Sequence, residues 1–169
     1  MMYPLSKGKS SPKTRHDLYE LLQKHSINAL RYKKNKVENN YQREVSLLSH
    51  YCALLINTYK ENPISIITVI ESAMNASHAM ELKAIDDELQ LLFNRRKALP
   101  ANNAYCEREI ADLTFKISDL ELKKSTPITD VTEGIIFDAL DRAFKNDGAK
   151  IPVGFNLYDY QKSSMRLFP

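Results

Sequence analysis

Apolar side chains along this chain recur mostly at steps of three and four, the period of one face of an α-helix. Near the start, Thr14 and Asp17 are spaced as a capping box, with the Thr14 hydroxyl accepting from a first-turn amide and Asp17 favouring the positive helix end. Leu18, Leu21 and Leu22 follow on one face as far as His25. Ser26 either caps a second helix or lies inside a continuous one. Val37, Tyr41, Val45, Leu48, Cys52, Leu55 and Tyr59 then fall at steps of 4, 4, 3, 4, 3 and 4. That spacing predicts a helix with an apolar seam near coiled-coil period, running to Asn62. Pro63 stops it, because a proline inside would lose a hydrogen bond and clash one turn back.

The next helix is predicted from Ser65 to Leu99. Its first half is apolar nearly all round (Ile66, Ile67, Val69, Ile70, Ala73, Met74), the pattern of a segment buried on several sides. Its second half narrows to Leu82, Ile85, Leu89, Leu92 and Leu99, and Pro100 ends it. Beyond residues 100–103, Cys106, Ile110, Leu113, Ile117 and Leu120 stand at steps of 4, 3, 4 and 3. Two seams of matching period joined by a short loop predict antiparallel neighbours, so residues from about 78 to 124 read as a coiled-coil-like helical hairpin.

Pro127 separates a fifth helix. Asp130 and Glu133 suit its capping box, Asp138–Arg142 and Asp141–Lys145 are favourable i,i+4 pairs, and Asn146-Asp147-Gly148 is a stop signal. Val131, Ile135, Leu140, Ala143 and Phe144 supply its buried face. Ile151, Val153, Phe155 and Leu157 alternate, which predicts a short extended tail packed on the bundle or added to a partner's sheet. The expected architecture is an all-α bundle of about five helices. A single helical domain is expected over residues 14–148, with a mobile basic tail over 1–13 and an extended tail over 149–169.

Composition narrows the functional classes. The 169 residues are 43% apolar and 27% charged, values of a soluble globular protein that exclude wholesale disorder, collagen and a disulfide scaffold. Glycines stand only at 8, 134, 148 and 154, too far apart to cradle a phosphate. The start is basic but lacks the apolar stretch of roughly 7–15 residues of a secretory signal. The most apolar window, Ile64 to Ile70, is interrupted by Ser65 and Thr68 and falls far short of the roughly 20 residues of a membrane span. A cytoplasmic chain, at least where it is synthesised, is expected; export by a machine that reads no cleaved signal is compatible with this start.

Candidate chemistry is sparse. His16, His25, His50 and His78 include no i,i+4 pair, and there is no HExxH, CxxC or G-x-S-x-G. Cys52 and Cys106 read as two buried thiols. Asp86, Asp87 and Glu88, and Glu107, Glu109 and Asp112, read as solvated faces paired across the hairpin with Arg95, Arg96, Arg108 or Lys116. The expectation is a non-enzymatic protein with no catalytic residue, no metal and no cofactor.

Charge is uneven: residues 1–36 hold nine Lys or Arg against two acids, or +7, and the remainder sums to −4. Arg31, Lys33, Lys34 and Lys36 form the densest part. They are candidates for holding a nucleic acid or another polyanion, with Tyr32 able to stack on a base; an anionic lipid surface or a plain solvated face are the alternatives. On the seam helix, Tyr51, Leu54 and Leu47 widen the apolar stripe beyond what one neighbour covers. Those three, with Phe155, Tyr158, Tyr160 and Gln161 in the tail, are the candidate partner contacts; Tyr158 and Gln161 are spaced as a phosphotyrosine docking peptide. The leading expectation is therefore a protein–protein interaction or adaptor protein whose partner is an unidentified protein, with a homodimer as another use of the same surface. A nucleic-acid-binding regulator acting through the basic N-terminal segment is the rival. The Lys- and Asn-rich composition and polar start fit an accessory bacterial or phage factor, such as a secreted effector.

Overall fold

The computed structural model describes residues 13–157 and contains five α-helices, with no strand among the described residues. In chain order these are α1 (Arg15–Lys34), α2 (Glu38–Tyr59), α3 (Pro63–Ala98), α4 (Ala104–Ser125) and α5 (Thr129–Lys145). The chain divides into two compact units: one takes the residues through Met74 and from Asp130 onward, the other residues 75–129.

In the first unit, α1 opens with the expected capping box. The Asp17 amide donates to Thr14 Oγ1 at 3.0 Å and the Thr14 amide to Asp17 Oδ2 at 3.3 Å. The helix runs unbroken through Ser26, whose buried hydroxyl donates to the Leu22 carbonyl at 2.5 Å and so needs no cap role. Lys36, in the left-handed region at φ 59°, turns the chain into α2. Val37 becomes the N-cap residue and is exposed, one position outside the seam predicted for it.

At its far end α2 stops at Tyr59, short of Asn62. Lys60 is left-handed at φ 56°, and the Glu61 amide donates back to the Leu55 carbonyl at 3.1 Å. Pro63 opens α3 instead of closing α2, since the first helical position has no use for an amide hydrogen. Asn62 caps it, accepting from the Ile64 amide at 2.8 Å.

Leu18, Leu22 and Leu30 of α1 are buried almost completely, as are Tyr41, Val45, Leu48, Cys52 and Leu55 of α2. Ile66, Ile70 and Met74 of α3 and Ile135, Ile136 and Leu140 of α5 complete this core. Polar links from α2 to α5 and the residues after it run along the core. The Tyr41 hydroxyl donates to Asp138 Oδ2 at 2.7 Å, Ser49 donates to Asp147, and Arg142 donates to Gln42. The predicted Asp138–Arg142 pair is thus replaced by two partners on α2, while Asp141–Lys145 forms at 3.2 Å. Asp130 lies inside the first turn of α5 rather than capping it, where its charge still suits the positive helix end.

Gly148, at φ 72°, ends α5, and the Ala149 amide reaches back to the Ala143 carbonyl at 2.8 Å. The following residues are not an extended strand. The Phe155 amide donates to the Pro152 carbonyl at 3.1 Å across a turn whose third residue, Gly154, has φ 87°. The alternation in sequence therefore reflects that turn: Ile151 and Val153 point to solvent, while Phe155 meets the Phe144 ring at 5.9 Å and Leu157 is buried.

Arg15 and Tyr19 meet Glu61 in the α2–α3 turn, the guanidinium at 3.0 Å and the Tyr19 hydroxyl donating at 2.5 Å. The Tyr19 hydrogen bond, with Arg15 behind it, holds the Glu61 carboxyl below its ordinary range against the opposing effect of burial. A lowered folded value means that this stabilisation is complete above the ordinary carboxylate range. It is lost as pH falls through the lowered value. Glu61→Gln should therefore flatten the acid limb of a melting-temperature profile; superimposable profiles would show that the cluster adds nothing to stability.

The second unit pairs the C-terminal part of α3 with α4. Arg95 meets Glu109 at 3.2 Å beside the connecting loop, and Asp86 meets Lys124 at 2.6 Å at the other end, so the two segments are antiparallel. Ile85, Leu89, Leu113 and Ile117 are buried, and Leu92, Phe93 and Leu120 pack at their edge. Asn103 caps α4 by accepting from the Tyr105 amide at 2.8 Å.

The two cysteines part company. Neither forms a disulfide. Cys52 is fully buried, and burial first, then the Asp147 charge, pushes its thiol up to about 12. Cys106, in the first turn of α4 beside the connecting loop, is only half-buried, so the expectation of two buried thiols fails there. Iodoacetamide should modify one thiol in the folded protein, at Cys106, and the second only on unfolding. Rapid double modification by mass spectrometry would contradict this core.

Candidate functional site

Among the described residues, no group of three or more His, Cys, Asp or Glu side chains is placed to hold a metal ion. No described helix is long and apolar enough to cross a membrane. What the fold does present are surfaces.

The first is a shallow groove where the start of α1 meets α2. Leu18, Tyr51, Leu54 and Tyr59 supply its apolar wall and Lys13, His50 and Thr58 its rim, around a volume of about 370 Å3. It arises because α2 carries two apolar faces: Val45, Leu48, Cys52 and Leu55 enter the core, while Leu47, Tyr51 and Leu54 stand beside it, half-buried. The Tyr51 ring sits between His25 and His50, with centroids 5.8 and 5.7 Å away. Burial and, after it, the Glu44 charge raise its phenol above the ordinary value. The structure thus brings Tyr51 and Leu54 together in one groove, with Leu47 a turn earlier on the same side of the helix. It does not add Phe155, which packs on Phe144. Tyr158, Tyr160 and Gln161 lie outside the described residues. So do residues 1–12 of the predicted mobile tail; Lys13, its last member, accepts a hydrogen bond from the Tyr59 hydroxyl at 2.6 Å through its carbonyl.

The basic candidates gather at the end of α1. Arg31, Lys33 and Lys34 fall in its last turn, where positive charge complements the negative helix end, and Lys36 is the left-handed residue that follows. The Lys33 ammonium lies over the Tyr41 ring, 4.5 Å from its centroid, which ties it to the α2–α5 core. Arg31 and Lys36 are exposed.

A further surface belongs to α4. Phe115 is 75% and Leu122 65% exposed, and both lie on the side of the helix turned away from Leu113 and Ile117. Ala104, Arg108, Ala111, Phe115, Ser118 and Leu122 stand at steps of 4, 3, 4, 3 and 4, and every one is exposed. The helix therefore carries two stripes of coiled-coil period on opposite sides, of which the hairpin uses one. Sequence reasoning missed the outer stripe because the inner one already accounted for the helix. The sevenfold step from Phe115 to Leu122 was the available signal. No known protein family, curated protein or solved structure matches this chain.

Proposed function

We propose that this is a protein-interaction module whose contact surface is the helical hairpin of residues 75–129. The observation that carries this reading is the distribution of exposed large apolar side chains. Of the nine among the described residues, five (Met80, Leu91, Tyr105, Phe115, Leu122) lie in the hairpin, the smaller unit. Its own seam buries only Ile85, Leu89, Leu113 and Ile117, so these five add nothing to its fold while they face water. Scattered exposed apolar residues need no explanation; a concentration on a two-helix unit with so small a core favours coverage by a partner. The groove at Tyr51 and Leu54 is a secondary contact of the same kind.

The test is a photo-crosslinking amino acid placed at Phe115 in the full chain, compared with one at exposed Lys24, in the source cells. A discrete adduct at position 115 that vanishes on Leu122→Asp supports the reading. Equal labelling at both positions, or none, overturns it. A nucleic-acid regulator is the second reading, supported by the +7 charge of residues 1–36 and the exposure of Arg31 and Lys36. It requires salt-steep binding that disappears when Arg31, Lys33, Lys34 and Lys36 are neutralised.

A further inference from the structure

Building on the hairpin as the contact surface, we infer that the outer stripe of α4 docks a single amphipathic helix whose apolar face is edged by lysine or arginine. The stripe fixes the occupant's shape. Positions spaced four and three along more than two heptads present a straight seam that a second helix fills with its own i, i+3, i+4, i+7 residues. Small Ala104, Ala111 and Ser118 alternate with large Arg108, Phe115 and Leu122, leaving room for large side chains of the visitor beside the small residues.

The edges fix the occupant's charge. One edge of the stripe, the residues just after 104, 111 and 118, is Tyr105, Asp112 and Asp119; the other, just before 108, 115 and 122, is Glu107, Thr114 and Glu121. All six are exposed. On α4 itself neither edge holds a basic residue; the Arg96 guanidinium of α3 donates to Thr114 Oγ1 at 3.2 Å, between Glu107 and Glu121. Asp119 has Lys123 within 3.6 Å, an exposed i,i+4 pair that an incoming cation can displace. The basic residues Lys116 and Lys123 lie further round the helix, and Arg108 sits within the stripe itself.

These edges argue against a second copy of the same helix. Paired antiparallel, Asp112 faces itself and Glu107 faces Glu121; paired parallel, Glu107 faces Asp112. Each arrangement sets acid against acid, and like charges across such a seam select against self-pairing. A helix edged by Lys or Arg meets Asp112 and Asp119 on one side, and on the other Glu107 and Glu121, which flank the Arg96-bonded Thr114.

The probes are two designed helical peptides of about four heptads with leucine at both seam positions, one edged by lysine and the other by glutamate. A scrambled version of the lysine peptide controls for bare polycation binding. Anisotropy titration of the full-length protein should give binding of the lysine peptide at least about tenfold tighter than of either control. Phe115→Asp with Leu122→Asp should weaken it at least about a hundredfold, with helical content retained. Asp112→Lys with Asp119→Lys, which leaves the apolar stripe intact, should shift preference toward the glutamate peptide.

Equal binding of the scrambled peptide, or binding indifferent to Phe115→Asp with Leu122→Asp, overturns the inference. So does a dimer in sedimentation that dissociates on those substitutions, because the stripe is then occupied by a second copy. If neither helical peptide binds while the crosslink at position 115 persists, the interaction reading stands and this choice of partner falls.

Discussion

Replacing His25 with leucine should destabilise the protein by about 3–5 kcal/mol, the usual result of removing one member of a buried charged or hydrogen-bonded pair. His25 Nδ1 lies 2.7 Å from Glu44 Oε1, and the two side chains are only 12% and 10% exposed. Water cannot replace the lost partner freely, so the Glu44 carboxyl is left desolvated between α1 and α2. The pair is costly to break yet does not follow from this that it is a net source of stability. His25→Leu with Glu44→Leu should recover most of the loss, since two apolar groups of similar volume remove the desolvation problem altogether. Urea denaturation of the two variants checks this. A double variant as weak as His25→Leu alone would mean that the imidazole contributes by its packing, against Tyr51 at 5.8 Å, rather than by its bond to Glu44.

Ile117→Asp should have an effect larger still but confined to one part of the chain. Ile117 is 3% exposed at the centre of the hairpin seam, with Ile85 and Leu89 around it. Burying its side chain contributes roughly 1.5–3 kcal/mol, and an unpaired carboxylate in its place adds a desolvation cost of several kcal/mol. With four buried side chains in all, the hairpin has no reserve to absorb both. Amide hydrogen exchange should show protection collapsing across residues 75–125, while Leu48, Leu55 and Ile136 in the other unit remain protected. Collapse of both sets together would show that the two units unfold as one cooperative body. Hairpin protection close to that of the unsubstituted protein would mean that the seam is not what holds it.

Periodicity made the helices legible because one buried face per helix leaves a three–four pattern that needs no tertiary information. The inner seam from Cys106 to Leu120 is the clearest case, and its antiparallel partner followed from a loop too short for any other route. Ends were less legible. Two of the turns between helices are made by Lys36 and Lys60 in left-handed conformations that glycine or asparagine would normally announce. A lysine there gives no signal. Pro63 reads equally well as a stop or a start because proline marks either side of a helix boundary, and its missing amide is harmless at the next helix's first position. Asp138 and Arg142 illustrate a different limit: local spacing proposed a pair, but each found a better partner on α2, at Tyr41 and Gln42, that no local rule can see. The division into two units was invisible for the same reason, since α3 passes from one to the other with no break in its pattern.

Tyr51 and Leu54 of the groove, and Leu47 a turn earlier, stand out in the sequence because α2 has more apolar positions than one neighbour can use. The same excess exists on α4, where Phe115 and Leu122 stand among charged residues and so lower the average polarity very little. A surplus is easier to read on a helix that is mostly apolar than on one that is mostly polar.

The bonds that join α2 to the α5 region span wide stretches of chain: Tyr41 to Asp138, Ser49 to Asp147 and Asn57 to Gly148 are separated by 97, 98 and 91 residues. Hairpin pairs are far more local, with 14 residues from Arg95 to Glu109. Local closure precedes distant closure when the entropy of loop formation governs the order of events. The hairpin, and the α1–α2 pair that His25 and Glu44 join across 19 residues, should therefore form early, while the joining of α2 to the α5 region comes later. Once formed, the hairpin draws residues 86 and 124 to within a salt bridge of each other, so the span left to close is far shorter than the sequence suggests. During synthesis the unit containing α5 is the last to become complete although it contains α1, and a chain interrupted before residue 130 would leave Tyr41, Gln42 and Ser49 of α2 without the partners that α5 and the residues after it supply. Damage to the hairpin should then appear first as slower refolding of the other unit, before any change in its final stability.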